Sequence, residues 1–462
     1  GTGPGTFGPL WNMYKPEGIN LTPYWGANFL YGFGLMPTLF VTTGILGILT
    51  WIWFFFFYLK MGITALRKPE EGISRFFTVS SFFGSLFLWA TSFLYVPNLT
   101  ILTLAFFLTG IFLATSVLHG SPVKNVVFRG KKFSGFVAVV LSMILVIGTG
   151  MIGYTLLSRG ASSMYFNQAV LYANRDADIG RSIESVNKAI GHADFDFYYR
   201  TNAELSLLQM NKLVEGKAVT EETGKLVSES LNNTLSLAEL AIDRDQFNYQ
   251  NPLGLGQIYD TLLAPPFSVP EAYEKAKTAY QSALVLAPHD PEIYLRLGKL
   301  EMEHNNLSGA KEYIQEALNE KNDYADAYFL SAKVAILENN LKQAIKDSEA
   351  LAVLSQNNPG AYFQLGVLYY TAGDYQSAIK VLQEADRMVG GYANAKYFLG
   401  LAYAKLGNAE AAIQQFQGLK TTNPDNADLP TIIENIKNNR DPLYKISGAQ
   451  ARGEATVPPL TQ

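Results

Sequence analysis

The sequence predicts an all-α protein: four transmembrane helices followed by an α-solenoid of stacked helix pairs. Alanine recurs every 34 residues at Ala276, Ala310, Ala344, Ala378 and Ala412, and Ala264, Gly298, Ala332, Gly366 and Gly400 keep the same period twelve residues upstream. Two helices cross closely only where small side chains let their backbones approach, so this period marks a repeated helix pair. Four charge-free apolar runs supply the other half of the prediction: Leu35 to Tyr58, Phe76 to Val96, Leu99 to Leu118 and Phe133 to Leu157. Each reaches the roughly 20 helical residues a bilayer core requires. Four such runs in succession favour lipid over the interior of a large soluble domain.

Residues 1–34 read as an extracytoplasmic loop segment and residues 35–160 as the transmembrane domain. Basic residues cluster in alternate connections, Lys60, Arg67, Lys68 and Arg75 after the first run and Lys124, Arg129, Lys131 and Lys132 after the third. The positive-inside rule places both clusters in the cytoplasm, so the fourth run leads outward and everything after it is expected outside a bacterial inner membrane. Pro97 and Asn98 alone join the second and third runs as a tight outer hairpin. Tyr24, Trp25, Trp51, Trp53 and Tyr95 stand near the ends of the runs, where amphipathic rings suit the interface.

Residues 161–249 lack the strict period but keep helical apolar spacing at Tyr165 to Leu171, Ile183 to Ile190, Ala203 to Leu213 and Leu231 to Ile242, the pattern of two irregular helical pairs. Five repeats then occupy residues 250–425. Tyr280, Ile314, Ser348, Leu382 and Phe416, with Ala283, Ala317, Leu351, Ala385 and Leu419, fill the seams between helices. Pro288 and Pro424 stop second helices, and Pro265 to Pro270 lengthen one turn. Residues 426–462 read as a terminal helix and a flexible tail rich in Gly, Pro and polar residues. The chain opens on Gly1, Thr2, Gly3, Pro4, Gly5, Thr6 and Phe7 without a leader pattern, which makes a longer parent protein the expectation.

Composition narrows the function. Residues 1–160 carry a net charge of +7 and the remainder −11. An acidic solenoid argues against nucleic acid as a partner. There is no cysteine, so neither a disulfide nor a thiol nucleophile is available. The four histidines, His119, His192, His289 and His304, share no metal-ligand spacing, and neither a metal nor another cofactor is expected. The pairs Glu221 with Glu222 and Glu301 with Glu303 read as solvated helix faces. No charge lies inside an apolar run, which removes the intramembrane ion path of a transporter.

The multi-position 34-residue pattern resembles the tetratricopeptide repeat family over at least 175 residues. That resemblance implies a right-handed superhelix with a concave peptide-binding groove. The family's groove-facing position in the first helix of each repeat falls here on Thr261, Leu295, Phe329, Phe363 and Tyr397, with Lys333 and Lys405 at the flanks. The last three aromatic residues make a stripe suited to an apolar peptide, or else pack between repeats. The Lys, Asn and Arg set by which one variant of the family grips a C-terminal carboxylate is absent.

The opening Gly1, Gly3, Gly5 and Phe7, followed by an apolar run entered through Gly44 and Gly47, resembles the O-antigen ligase and polymerase family over about the first 60 residues. In that family a Gly-rich segment closes a large extracytoplasmic loop before a His, small polar, spacer, Gly-x-x-Gly motif. Here Phe33 stands at the histidine position and Gly34 at the polar one, so no catalytic residue is assigned. The resemblance implies a parent acting on lipid-linked glycan, with the repeats recruiting protein partners. The alternative is a membrane-anchored scaffold without chemistry, whose partners are membrane lipid and a protein or peptide.

Overall fold

The computed structural model describes residues 2–3, 5–67, 72–118, 132–214 and 221–446. Gly1, Lys68, His119, Lys124, Arg129, Lys131 and the tail from residue 447 lie outside the described residues, as does the side chain of Lys132. Nineteen α-helices and one 3-10 turn form among the described residues, with no strand. The chain divides into two compact units, Gly1–Ile19 with Tyr24–His289, and Asn20–Pro23 with Asp290–Gln462.

The first unit begins with α1 (Phe7–Tyr14), followed by α2 (Leu35–Arg67), α3 (Ile73–Leu94), α4 (Leu99–Leu118) and α5 (Lys132–Asn174). α2 to α5 are each long and apolar enough to cross a membrane, with mean hydropathies of 2.0, 1.4, 2.0 and 2.0 over their best windows. α2, α3 and α4 share an aromatic core of Tyr58, Phe82, Trp89 and Phe112. Its polar atoms are all partnered: the Tyr58 hydroxyl lies 2.7 Å from Ser85 Oγ, and Trp89 Nε1 donates to Thr109 Oγ1 at 3.1 Å. Trp51, placed by its position at an interface, instead stacks into this core against Phe55 and Trp89.

α5 runs unbroken through residue 160, so no loop divides the fourth apolar stretch from the helical region that follows. Its last turns pair with α6 (Ile179–His192), where Ser162 Oγ donates to the Ala189 carbonyl and Ser182 Oγ to that of Ala169, both at 2.8 Å. α7 (Asp196–Val214), α8 (Glu221–Arg244), α9 (Gln250–Leu263) and α10 (Ala272–Leu286) complete the unit. A polar knot ties α7 to the start of α9: Arg200 donates to Asn251 and Gln250, while Asp196 accepts from Asn248 and Asn251. α1 packs on α10.

The second unit stacks α11 (Pro291–Glu303) with α12 (Leu307–Glu320), α13 (Ala325–Leu337) with α14 (Leu341–Leu354), α15 (Pro359–Thr371) with α16 (Tyr375–Val389), and α17 (Ala393–Lys405) with α18 (Ala409–Thr422). α19 (Asp428–Lys437) closes the stack, and Asn435 holds the loop beyond it by donating to the carbonyls of Pro442 and Tyr444. Ala310, Ala344, Ala378 and Ala412 here, and Ala276 in the first unit, are fully buried. Gly298, Gly366 and Gly400 receive the large residue of the second helix. A Cβ at these positions would come 3.1 Å from Ile314, 2.5 Å from Leu382 and 2.5 Å from Phe416.

In the repeat that contains the proline-rich insertion, the corresponding glycine is Gly256, whose Cβ would meet Tyr280 at 2.4 Å. Ala264, which holds the sequence period, is instead the C-cap of α9. The insertion lies between the two helices, so the 34-residue count carried back from Gly298 stops eight residues short of the true contact at Gly256. The same shift removes Thr261 from the groove series.

Each turn between paired helices in the second unit follows one rule. Asn305, Asn339, Gly373 and Gly407 take positive φ, and the next residue caps the second helix. Asn306, Asn340, Asp374 and Asn408 accept from backbone amides three residues on, satisfying donors a helix start leaves open. Glu301, expected on a solvated face, is in fact buried and accepts from Asn306 Nδ2 at 2.6 Å, bracing the first of these caps.

The interlock predicts that Gly400→Ala, which puts a methyl into the Phe416 ring, lowers unfolding stability by about 1–3 kcal/mol as overpacking does. Gly418→Ala, on the open face of α18 with no atom within 4 Å of the added carbon, should instead be neutral or stabilising by up to about 1 kcal/mol. Urea titrations of the two variants check both signs.

Candidate functional site

The first helix of each repeat presents one face between its neighbours, and a cleft of about 700 Å³ opens there across α13, α15 and α17. Ile336, Leu341, Phe363, Val367, Leu368 and Phe398 form its apolar wall, with Asn339, Gln364 and Thr371 as polar points. Gly360, Phe363, Val367 and Thr371 fall on one side of α15 because a helix returns to the same face every three or four residues. Ile336 is 41% exposed at the rim of this wall. The cleft can seat an extended peptide with aliphatic or aromatic side chains, while amide side chains meet its backbone.

The residues singled out from the repeat pattern divide among several environments. Phe363 lines the cleft and also touches Tyr392 and Phe398, with ring centroids 5.3 and 5.9 Å away. Phe329 is half-buried beneath Lys333, whose ammonium sits 4.5 Å above the ring. Tyr397 is only 6% exposed and packs edge-on against Phe398 and Phe416, inside the seam rather than in the groove. Leu295 is half-buried on α11, away from the cleft-lining set. Lys405 is joined to Asp441 at 2.8 Å. Burial alone would raise the Asp441 carboxyl, but Lys405 and the Leu443 amide outweigh it and hold the group below its ordinary value.

Of the lining residues only Phe363 is named from the sequence pattern; Ile336, Val367 and Phe398 are among those it does not reach. It followed one position per repeat, whereas the cleft uses positions four residues later in the same helix and seven later in the preceding repeat. A second regularity braces the opposite edge of these helices. Tyr369 donates to Glu349, and Gln383 donates to the Tyr403 hydroxyl at 2.8 Å, the same contact one repeat on. Burial, followed by the Glu349 carboxylate, pushes the Tyr369 phenol up to about 12.

Of the N-terminal glycines, Gly3 lies beside the helix turn that carries Gly44. Within α2, Gly44 leaves the helical path with φ +67° and ψ −163°, a combination confined in practice to glycine. Beside the break, the amides of Thr2 and Gly3 donate to the carbonyls of Val41 and Thr42 at 3.1 and 3.0 Å. Gly47 leaves room for Thr43, whose hydroxyl would lie 1.9 Å from a Cβ there. Gly5 turns the chain at φ +77° into α1, which Phe7 opens. Gly34 abuts the Phe93 carbonyl at 2.2 Å from where a side chain would begin, and Phe33 is 78% exposed. Of the histidines that are described, His192 stacks on Tyr165 and His304 caps α11. No group of metal-binding side chains occurs among the described residues.

Residues 271–334 and, in two overlapping stretches, 338–393 and 363–427 match the tetratricopeptide repeat family. The solenoid is built of tetratricopeptide repeats. Among solved structures, YrrB, a tetratricopeptide protein with an unusual peptide-binding site, aligns over 43% of this chain and 97% of its own at 20% identity and a TM-score of 0.35. A tetratricopeptide repeat protein from Parabacteroides merdae aligns over 60% of this chain and 99% of its own at 14% identity and 0.37. PilF of Pseudomonas aeruginosa aligns over 52% and 99% at 15% identity and 0.36. No curated protein matches the chain.

A phenol raised in the folded state contributes stability that is complete below pH 10 and lost as the pH rises toward about 12. Wild type and Tyr369→Phe should therefore show the same phenolate absorbance at pH 11 and diverge only near pH 12. Divergence centred on pH 10 would mean that neither the burial of this ring nor its brace to Glu349 persists in solution.

Proposed function

We propose that this chain is a membrane-anchored adaptor whose tetratricopeptide repeats capture an apolar peptide segment of a protein partner in the α13, α15, α17 cleft. The cleft carries the reading, because an aliphatic wall with an exposed Ile336 and only three polar points suits side chains that leave water on binding. The anchor is supported by the four apolar helices. It is supported again by α1, which precedes them and packs on α10, which follows them. Segments on either side of a set of membrane crossings can touch only if the number of crossings is even. On the positive-inside reading, both segments and the repeats face away from the cytoplasm.

Binding to an array of 12-residue peptides tests the cleft. The strongest binders should carry two or more aliphatic or aromatic residues. Ile336→Asp should weaken them at least tenfold while leaving the melting temperature within a few degrees, since that side chain is already part exposed. Phe363→Ser should weaken binding and also lower stability, because the ring packs on Phe398. Binders that are uniformly charged and indifferent to Ile336→Asp would remove the cleft from the reading.

A second reading, parentage in an O-antigen ligase or polymerase acting on lipid-linked glycan, is favoured by one observation. The Gly-rich opening is hydrogen-bonded to the carbonyls just before Gly44, so the two halves of the resemblance form one local structure. The intact mass of the native polypeptide, detected with an antibody to the repeats, tests it. A mass tens of kilodaltons above 51.0 kDa supports the parentage and a mass near 51.0 kDa opposes it.

A further inference from the structure

We infer that Thr2 and Gly3 and the break at Gly44 form a backbone latch, a two-state joint in which one pair of carbonyls is shared between alternative pairs of amides. In an uninterrupted helix the carbonyls of Val41 and Thr42 would accept from the amides of Ile45 and Leu46, four residues on. The turn at Gly44 carries those amides away, and Thr2 and Gly3 donate in their place. At these carbonyls two backbone hydrogen bonds are exchanged for two, so the broken and continuous forms of α2 differ little in hydrogen bonding there. That near balance is what a switchable element needs.

The surroundings fit the broken form. Thr42 and Thr43 turn their hydroxyls back to the carbonyls of Thr38 and Leu39, and Thr38 itself accepts from the Gly32 amide, so the short helical segment before the break is satisfied by its own side chains. The break opens a cleft of about 420 Å³ bordered by Phe40, Thr43, Gly44, Ile45 and Leu46. Straightening α2 would close it. In an apolar surrounding, carbonyls left without donors are costly, so release of Thr2 and Gly3 drives Gly44 into helical geometry and the reverse reopens the break. The latch therefore couples the position of Thr2 and Gly3 to the shape of α2, independently of what the repeats bind.

The absence of cysteine permits unique labelling, with spin labels at Thr2→Cys and Trp53→Cys in the full chain reconstituted in lipid nanodiscs. Both positions are exposed, and the substitution at residue 2 keeps the donating amide. The distance distribution should be narrow in this background and should broaden and lengthen with Gly44→Ala, which favours helical geometry at the break. Gly3→Ala, opposed by a φ of +114° and remote from the helix core, should do the same without touching α2. A broad distribution in the background chain, or a narrow one unchanged by both substitutions, would overturn the latch.

Discussion

The repeat architecture depends on one steric interlock, a glycine on the first helix of a pair receiving a bulky residue from the second. Gly256 with Tyr280, Gly298 with Ile314, Gly366 with Leu382 and Gly400 with Phe416 all leave less than the room a methyl needs. Buried alanines at the 34-residue period bring the same helices together from the other side. The interlock fixes how far apart paired helices stand, and so which residues of α13, α15 and α17 are left to line a cleft. The contact is made by shape and dispersion rather than charge, so bulk is traded between the two positions: in the α13, α14 pair Ala332 replaces the glycine and the small Ser348 replaces the large residue, both fully buried.

A second constraint bears on the apolar helices, the cost of leaving a buried polar atom unpartnered, which most of their side chains avoid and Ser116 Oγ in α4, among the described residues, does not. Tyr58 with Ser85 and Trp89 with Thr109 avoid it between helices, and threonine hydroxyls avoid it along them. The same cost applies at the break in α2. Two of the three carbonyls that lose their helical donors there are met by Thr2 and Gly3. A segment that would otherwise read as a glycine-rich loop thus has a defined structural task.

Much of this was legible in the sequence. The 34-residue series of small residues and the four apolar runs gave the fold class, because helix crossing and bilayer thickness each impose a length that composition must meet. Register across the insertion was not legible, since a count of 34 cannot say which helix absorbs extra residues, and Ala264 stood where Gly256 acts. The cap series at Asn306, Asn340, Asp374 and Asn408 was readable in principle from residue type and period, yet it is drowned by the many exposed Asn and Asp elsewhere. The cleft was only partly legible. Tyr397 and Phe363 occupy equivalent repeat positions, but the bulk of Phe416 beside Tyr397 draws that ring into the seam, and such pairwise packing leaves no mark in a single position's identity.

In the proposed topology four crossings return the chain to the face from which α1 begins, so that α1 and the repeats lie on one side of a membrane. Single cysteines at Tyr14, Thr64 and Gln417, each in the cysteine-free chain, can be probed in intact cells with a membrane-impermeant maleimide. The account predicts that positions 14 and 417 react in intact cells and position 64 only after permeabilisation. Reaction of 14 and 417 from opposite faces, or recovery of the chain outside the membrane fraction, would contradict it.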